Sequence, residues 1–238
     1  MLLRQYEALL NIVVFSDFGG ALNIYFSISK ITMENYPFDT VNLGCDDIDR
    51  LYDIYKALKS KFSIELTGDI DFDLKQFEVF RNYFDVTLRG SYVIRHMGKE
   101  SYILFIETDR RLMDRTGNMY DVRENHTWAL AYLKCDFGRV LIRRETLADK
   151  IIELVHPVEL DFAEDKPFSD TFYVLINDRQ KAENSIERNF RNAVMDIRED
   201  DFVIEIVEHT LLIGNQQPVS PERAVYLAEF VARLSTIC

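Results

Sequence analysis

The stretch ELDFAEDKPFSDTFYVLINDRQKAENSIERNFRNAVMDIREDDFVIEIVEHTLLIG, residues 159–214, predicts a β-α-β-β unit. Residues 172–176 form a short apolar run typical of a buried strand, and Asn177 and Asp178 follow it as helix caps. An acidic turn at 199–201 then leads to two strands, 202–207 and 210–213, which pair around Glu208 and His209. The helix between them presents one apolar stripe, made by Ala182, Ile186, Phe190, Val194 and Ile197.

Regular elements are predicted on both sides of this unit. Ser220 and Pro221 have the types expected for the cap and first position of a final helix. Upstream, the alternation of residues predicts an antiparallel meander of four strands, at 85–96, 101–108, 127–134 and 138–143.

The N-terminal third reads as a hairpin followed by helices. Gly19 and Gly20 permit a tight turn between strands 11–15 and 21–31. Gly44 opens a helix that runs towards Lys61, and 62–66 is a short strand. A second helix is predicted from Asp73 to Tyr83.

These elements predict an α+β fold with a mostly antiparallel sheet and flanking helices. The chain divides either into two lobes, residues 1–143 and 144–238, or remains a single domain over 1–238. With 238 residues and 47% hydrophobic content, it can bury its own core.

Composition also limits the partners and the cellular compartment that we expect. The formal net charge of −12 repels a phosphate backbone and therefore disfavours nucleic-acid binding. The apolar runs are too short for an integral membrane segment, and no signal peptide is evident, so we expect a cytoplasmic protein. Cys45, Cys135 and Cys238 are widely spaced, which indicates reduced thiols rather than disulfides or a zinc site.

The familiar chemical motifs are absent from the sequence. There is no Gly-rich phosphate loop and no GxSxG element. The acids Asp69, Asp71 and Asp73 alternate, but Leu74 and Phe80 stand where a calcium loop requires Gly and Glu. The four histidines show no metal-binding spacing. We therefore predict no catalytic residue, no metal site and no cofactor, and we favour a protein that is not an enzyme.

One stretch is a candidate binding site. Residues 109–125, DRRLMDRTGNMYDVREN, read as a long polar loop that carries the densest basic cluster of an acidic chain. If a polar pocket exists, we expect Arg110 and Arg111 to face Glu124 and His126 and to bind a phosphate or nucleotide-like ligand. A solvated loop is the plainer interpretation.

Residues 126–234 resemble an uncharacterised bacterial family of unknown function. The resemblance rests on HTWALAYLKCDFGRVLIRRE, on the Phe-rich strand and Asp-Arg-x-x-Ala helix start within 159–190, and on DDFVIEIVEHTLLIG before a terminal helix. It implies no activity, cofactor or site residue.

A patterned core, an acidic surface and no assembled chemistry favour a non-enzymatic protein-interaction or scaffold module with an unknown protein partner. Two alternatives remain open. One is binding or hydrolysis of a small molecule at Arg110, Arg111, Glu124 and His126. The other is an acidic immunity-like inhibitor that binds a basic toxin.

Overall fold

The computed structural model describes residues 36–68, 70–144, 158–197, 201–215, 217–218 and 220–237. Contacts divide the chain into residues 1–35 and a second compact unit, Tyr36–Cys238. The predicted hairpin of strands 11–15 and 21–31 lies outside the described residues, as do Asp69, His156 and Cys238.

Five α-helices and nine strands occur within the described ranges. The helices are α1 (Cys45–Lys61), α2 (Lys166–Ser169), α3 (Arg179–Ser185), α4 (Arg188–Met195) and α5 (Pro221–Ile237). The strands are β1 (Ile64–Leu66), β2 (Asp85–His96), β3 (Lys99–Met113), β4 (Met119–Tyr132), β5 (Arg139–Arg144), β6 (Val158–Glu159), β7 (Phe172–Ile176), β8 (Val203–Val207) and β9 (Thr210–Gly214).

The nine strands form one sheet in the order β1-β2-β3-β4-β9-β8-β5-β7-β6, and every neighbouring pair is antiparallel. The α+β prediction is therefore confirmed. The predicted meander is confirmed for β2, β3 and β4 but wrong for its fourth strand. β5 pairs with β7 and β8 instead, because β9 occupies the edge of β4 from Trp128 to Tyr132.

The β-α-β-β unit forms, with β5 inserted between its strands. β7 and β8 are each antiparallel to β5, so they run parallel to one another on its two sides. The predicted helix is split into α3 and α4, and the side chain of Arg191 donates to the carbonyl of Ile186 at the break (2.9 Å). The stripe from Ala182 to Ile197 is buried as predicted.

Two layers cover the sheet where β2, β3, β4 and β9 lie. On one side α1 and α5 bury Phe105 and Ala129, together with the larger of the apolar clusters. On the other, Phe77 and Phe80 pack against Trp128, Leu130 and their neighbours.

The predicted helix at 73–83 is wrong. This segment forms two 3-10 turns, Leu74–Gln76 and Glu78–Phe80, separated by Phe77 in an extended conformation. The carboxylate of Glu205 accepts the main-chain N–H groups of Glu78 (2.8 Å) and Val79 (3.1 Å). A continuous helix would bond these groups internally, so the buried acid on the sheet starts a new turn instead.

The predicted boundary between 143 and 144 falls inside β5, which lies in the sheet between β7 and β8. We propose that residues 36–237 fold as one domain, whereas the single-domain alternative from the sequence covered residues 1–238. None of the described helices has the length and hydropathy needed to cross a membrane.

Candidate functional site

The predicted loop at 109–125 is instead part of a long β-hairpin. β3 continues to Met113 and β4 begins at Met119, and their register runs without a shift to the Met113–Met119 pair. Asp114 closes the turn, because its Oδ1 accepts the main-chain N–H groups of Thr116 (2.8 Å) and Asn118 (2.9 Å). Gly117 has a φ of 89°, which favours glycine at that position.

The outer part of this hairpin extends beyond its neighbours. The pairing of β2 with β3 ends at Asp85 opposite Asp109, and the pairing of β9 with β4 begins only at Trp128. Within the described residues, 110–122 therefore form a two-stranded ribbon with no strand on either side. We call residues 110–122 the arm.

The arm carries exposed apolar side chains at its tip. Met113, Met119 and Tyr120 are 68%, 58% and 48% exposed, respectively. Phe84, at the base of the arm, is 78% exposed, and the guanidinium of Arg111 lies 5.4 Å from its ring centre. Large apolar groups gathered on an exposed element are typical of an interaction surface.

One face of the arm is a ladder of ion pairs. Arg111 donates to Asp121 (2.9 Å), and Arg123 donates to both carboxylate oxygens of Asp109 (2.9 and 3.0 Å). Arg123 also lies 3.4 Å from the buried carboxylate of Glu107. The hydrogen bond from Arg123 holds the pKa of Asp109 below its usual range. Each cross-strand rung thus joins opposite charges.

Three of the four predicted site residues lie on the opposite face. Arg110 donates to Glu124 (2.9 Å), and Nε2 of His126 lies 3.9 Å from the same carboxylate. Arg111 alternates with Arg110 along β3, so it lies on the ladder face and is separated from the other three. The structure brings together Arg110, Glu124 and His126 but not Arg111.

His126 is buried, with 2% of its surface exposed. Its Nε2 lies 3.1 Å from the hydroxyl of Thr108, which is also buried. Burial lowers the pKa of His126 more than the nearby Glu124 raises it, so the imidazole is neutral at neutral pH. The guanidinium of Arg110 is already bonded to Glu124, so few free groups face a ligand here, and ligand binding by these residues stays a prediction.

A cleft of about 180 Å³ opens beside β4 at the inner end of the arm. It lies between the start of α1 and the chain before α5, and it is lined by Asp47, Arg50, Arg123, Glu124, Asn125, His126 and Pro218. Among the described strands, β3 alone pairs with residues 119–127 of β4, so the cleft adjoins a strand edge that no described strand covers.

Sequence reasoning missed a buried acidic cluster on the sheet. Glu205 is fully buried, and Nη1 of Arg139 lies 3.4 Å from its carboxylate and 3.3 Å from that of Glu78. Burial raises the pKa of Glu205 to about 7. Strand alternation predicts that an acid between Ile204 and Ile206 faces solvent. Glu205 is buried instead because the segment with the two 3-10 turns packs over it. Its main-chain hydrogen bonds give Glu205 a capping role.

Among the described residues, no three histidine, cysteine or acidic side chains are grouped so that they could hold a metal ion.

Comparisons with known proteins assign no family to this chain. No family model matches the chain, and no curated protein matches it. The resemblance noted for residues 126–234 therefore stays a prediction. Among solved structures, the chain is similar to the crystal structure of the mycobacterial trehalose monomycolate transport factor A, TtfA, with 13% sequence identity and a TM-score of 0.48. That similarity covers 76% of this chain and 91% of the other.

Proposed function

We propose that this protein is a non-enzymatic protein-interaction module and that the arm is its contact element. The observation that carries the proposal is a two-stranded ribbon whose two edges pair with no described strand and whose tip carries exposed methionines. An unpaired edge offers main-chain N–H and C=O groups that a partner strand can bond.

An exposed edge of a natural sheet is usually blocked by charged side chains, above all lysine, by proline or by a bulge. The arm has charged side chains, but Arg111 and Asp121 are paired with each other across the hairpin. Residues 110–122 contain neither lysine nor proline, and the register of the hairpin shows no shift. Methionine adapts its shape to different contacts, which suits Met113 and Met119 to a protein surface.

The alternatives from the sequence receive less support. The hypothesis of a ligand site is weakened because Arg111 lies on the other face of the hairpin, where it bonds Asp121. It is weakened further because Arg110 and Glu124 are bonded to each other. The immunity-like hypothesis rests on net charge, whereas the arm alternates positive and negative side chains. A cytoplasmic location remains our expectation.

Site-specific photo-cross-linking tests the proposal. A photoreactive phenylalanine analogue at Tyr120, within the arm, is compared with the same analogue at Tyr132. Both tyrosines are 48% exposed and lie on β4, but Tyr132 lies at the far end of β4 from the arm, where it pairs with Thr210 of β9. We expect a discrete cross-linked product in the native cell from position 120 and a much weaker one from position 132.

Disordering the arm should remove that product. The second variant is Asp114→Ala, which removes the acceptor that closes the turn. Equal cross-linking from positions 120 and 132, or a product that is unaffected by Asp114→Ala, would contradict the arm as the contact element.

A further inference from the structure

The open edge of β4 has the length of an ordinary strand. Residues 119–127 pair with β3 on one side and with no described strand on the other. Nine residues are enough for a stable strand pair, since strands in folded proteins are usually about 3–10 residues long. The edge is therefore long enough to accept a partner strand.

Two copies of this edge can join only in certain registers. When two copies of one strand pair antiparallel in a dimer, a two-fold axis runs perpendicular to the sheet, and residues opposite each other point to the same face of the sheet. The axis therefore passes between the two copies of one residue, which lie opposite each other. Axes at Asp121, Arg123 or Glu124 would each place a residue opposite its own like charge, which is unfavourable.

An axis at Val122 places opposite charges together. Asp121 of each copy then lies opposite Arg123 of the other, so the dimer contains two favourable charge pairs. From these constraints we propose that the arm binds the arm of a second copy, β4 against β4, with the two Val122 residues opposite each other. This inference rests on the proposed function and names its partner.

The ladder face supports this register. Within one chain Arg111 bonds Asp121, and Arg123 bonds Asp109. In the dimer a row of four side chains would cross the four strands: Arg111 and Asp121 of one copy, then Arg123 and Asp109 of the second copy. Positive and negative charges alternate along this row, and the two-fold axis generates a second row of the same kind that runs in the opposite direction.

The same register accounts for the cleft and the exposed tip. Met119 of the second copy would lie opposite Asn125, which lines the cleft. Met119 is 58% exposed in the single chain, and the cleft of about 180 Å³ is large enough for part of a methionine side chain.

Sedimentation of the full chain tests the pairing. It is measured from about 1 to about 100 µM, a range that spans micromolar dissociation constants, at about 0.15 M salt, which screens the long-range repulsion of two acidic chains. We expect a reversible dimer. Wild-type protein that remains monomeric across this range would overturn the proposal.

One double variant separates this register from other contacts. Arg111→Asp with Asp121→Arg preserves an ion pair within the chain, but it places a positive charge at position 121 opposite Arg123 of the second copy. The dissociation constant should rise roughly tenfold or more, because two attractive pairs become repulsive. The matched control inverts the exposed pair Arg95 and Glu65, on β2 and β1, and should leave the dimer intact.

A complementary variant supplies the rescue. Asp109→Arg with Arg123→Asp should also dissociate alone, and an equimolar mixture of the two double variants should form mixed dimers. Undiminished self-association of either variant, or no mixed dimer from two folded variants, would overturn the register. If the wild type is monomeric but position 120 cross-links another protein, the second copy is the wrong partner and the proposed function stands. If neither product forms, both fail.

Discussion

At the residue scale, Glu205 makes stability depend on pH. Its pKa is raised from 4.5 to about 7 by burial, so the folded chain binds a proton that the unfolded chain releases. Stability from this group is present at low pH and is lost as pH rises through 7. Between pH 5.5 and 8.5 we expect Glu205 to contribute a loss of about 2 kcal/mol in the free energy of unfolding, which His126 opposes in part because its lowered pKa makes stability rise with pH.

Urea unfolding at both pH values checks this prediction. Glu205→Gln should remove the contribution of Glu205, because the side chain no longer titrates, and the difference between wild type and this variant separates it from that of His126. Glu183→Gln, on the exposed surface of α3, is the control and should keep the contribution of Glu205. Equal pH dependence in wild type and Glu205→Gln would show that Glu205 does not titrate in this range.

Gly214 is required by close packing against Trp128. A Cβ at Gly214 would lie 2.5 Å from the indole ring directly opposite it on β4. We expect Gly214→Ala to destabilise the fold by about 1–3 kcal/mol, the usual cost of overpacking, in a denaturant titration. Gly44→Ala meets only an ordinary contact at 3.6 Å and should cost less than about 1 kcal/mol.

Single residues were predictable where their role is local. Asp178 accepts the N–H of Lys181, and the hydroxyl of Ser220 accepts that of Arg223, so both predicted caps are confirmed. The burial of Glu205 was not predictable, since it depends on a segment more than 100 residues away in the chain.

At the element scale, the strands of the arm were predicted as a loop because many of their residues are charged. These charged residues mask the two-residue period within each strand, and their partners become visible only when β3 and β4 are paired. The split between α3 and α4 was also hidden, because the apolar stripe continues through the break.

We expect the conformation of the turn of the arm to depend on Asp114 and its neighbours and not on the rest of the fold. The hydroxyl of Thr116 and the main chain of Asn118 hold the pKa of Asp114 below its usual range. We expect Asp114→Ala to accelerate amide hydrogen exchange at 110–122 and to leave the urea midpoint of the whole chain nearly unchanged, because no described strand pairs with either side of the arm. Asp53→Ala on α1 should leave exchange in the arm unchanged, and a uniform increase throughout the sheet would contradict local control.

At the scale of the whole molecule, the fold class was predictable and the strand order was not. Alternation identifies strands, whereas the placement of β9 beside β4 and of β5 between β7 and β8 depends on contacts between distant residues. Residues 109–125 stood out in the sequence as a charged polar segment, but their hairpin geometry did not, since it places Arg110 and Arg111 on opposite faces.

One sheet joins strands from both predicted lobes, so residues 36–237 should unfold together. Thermal or urea unfolding of the full chain, followed by the single Trp128 and by circular dichroism, should give coincident transitions for this unit. Two separated transitions, one confined to β2, β3 and β4, would support the two-lobe division.

The most direct test of the arm as contact element is amide hydrogen exchange in the associated and dissociated states of the chain. We predict that association protects residues 119–125 and leaves the interior strand β8 unchanged. Protection confined to the groove between α1 and α5, around Ala57 and Tyr226, with equal exchange at 119–125, would contradict the account.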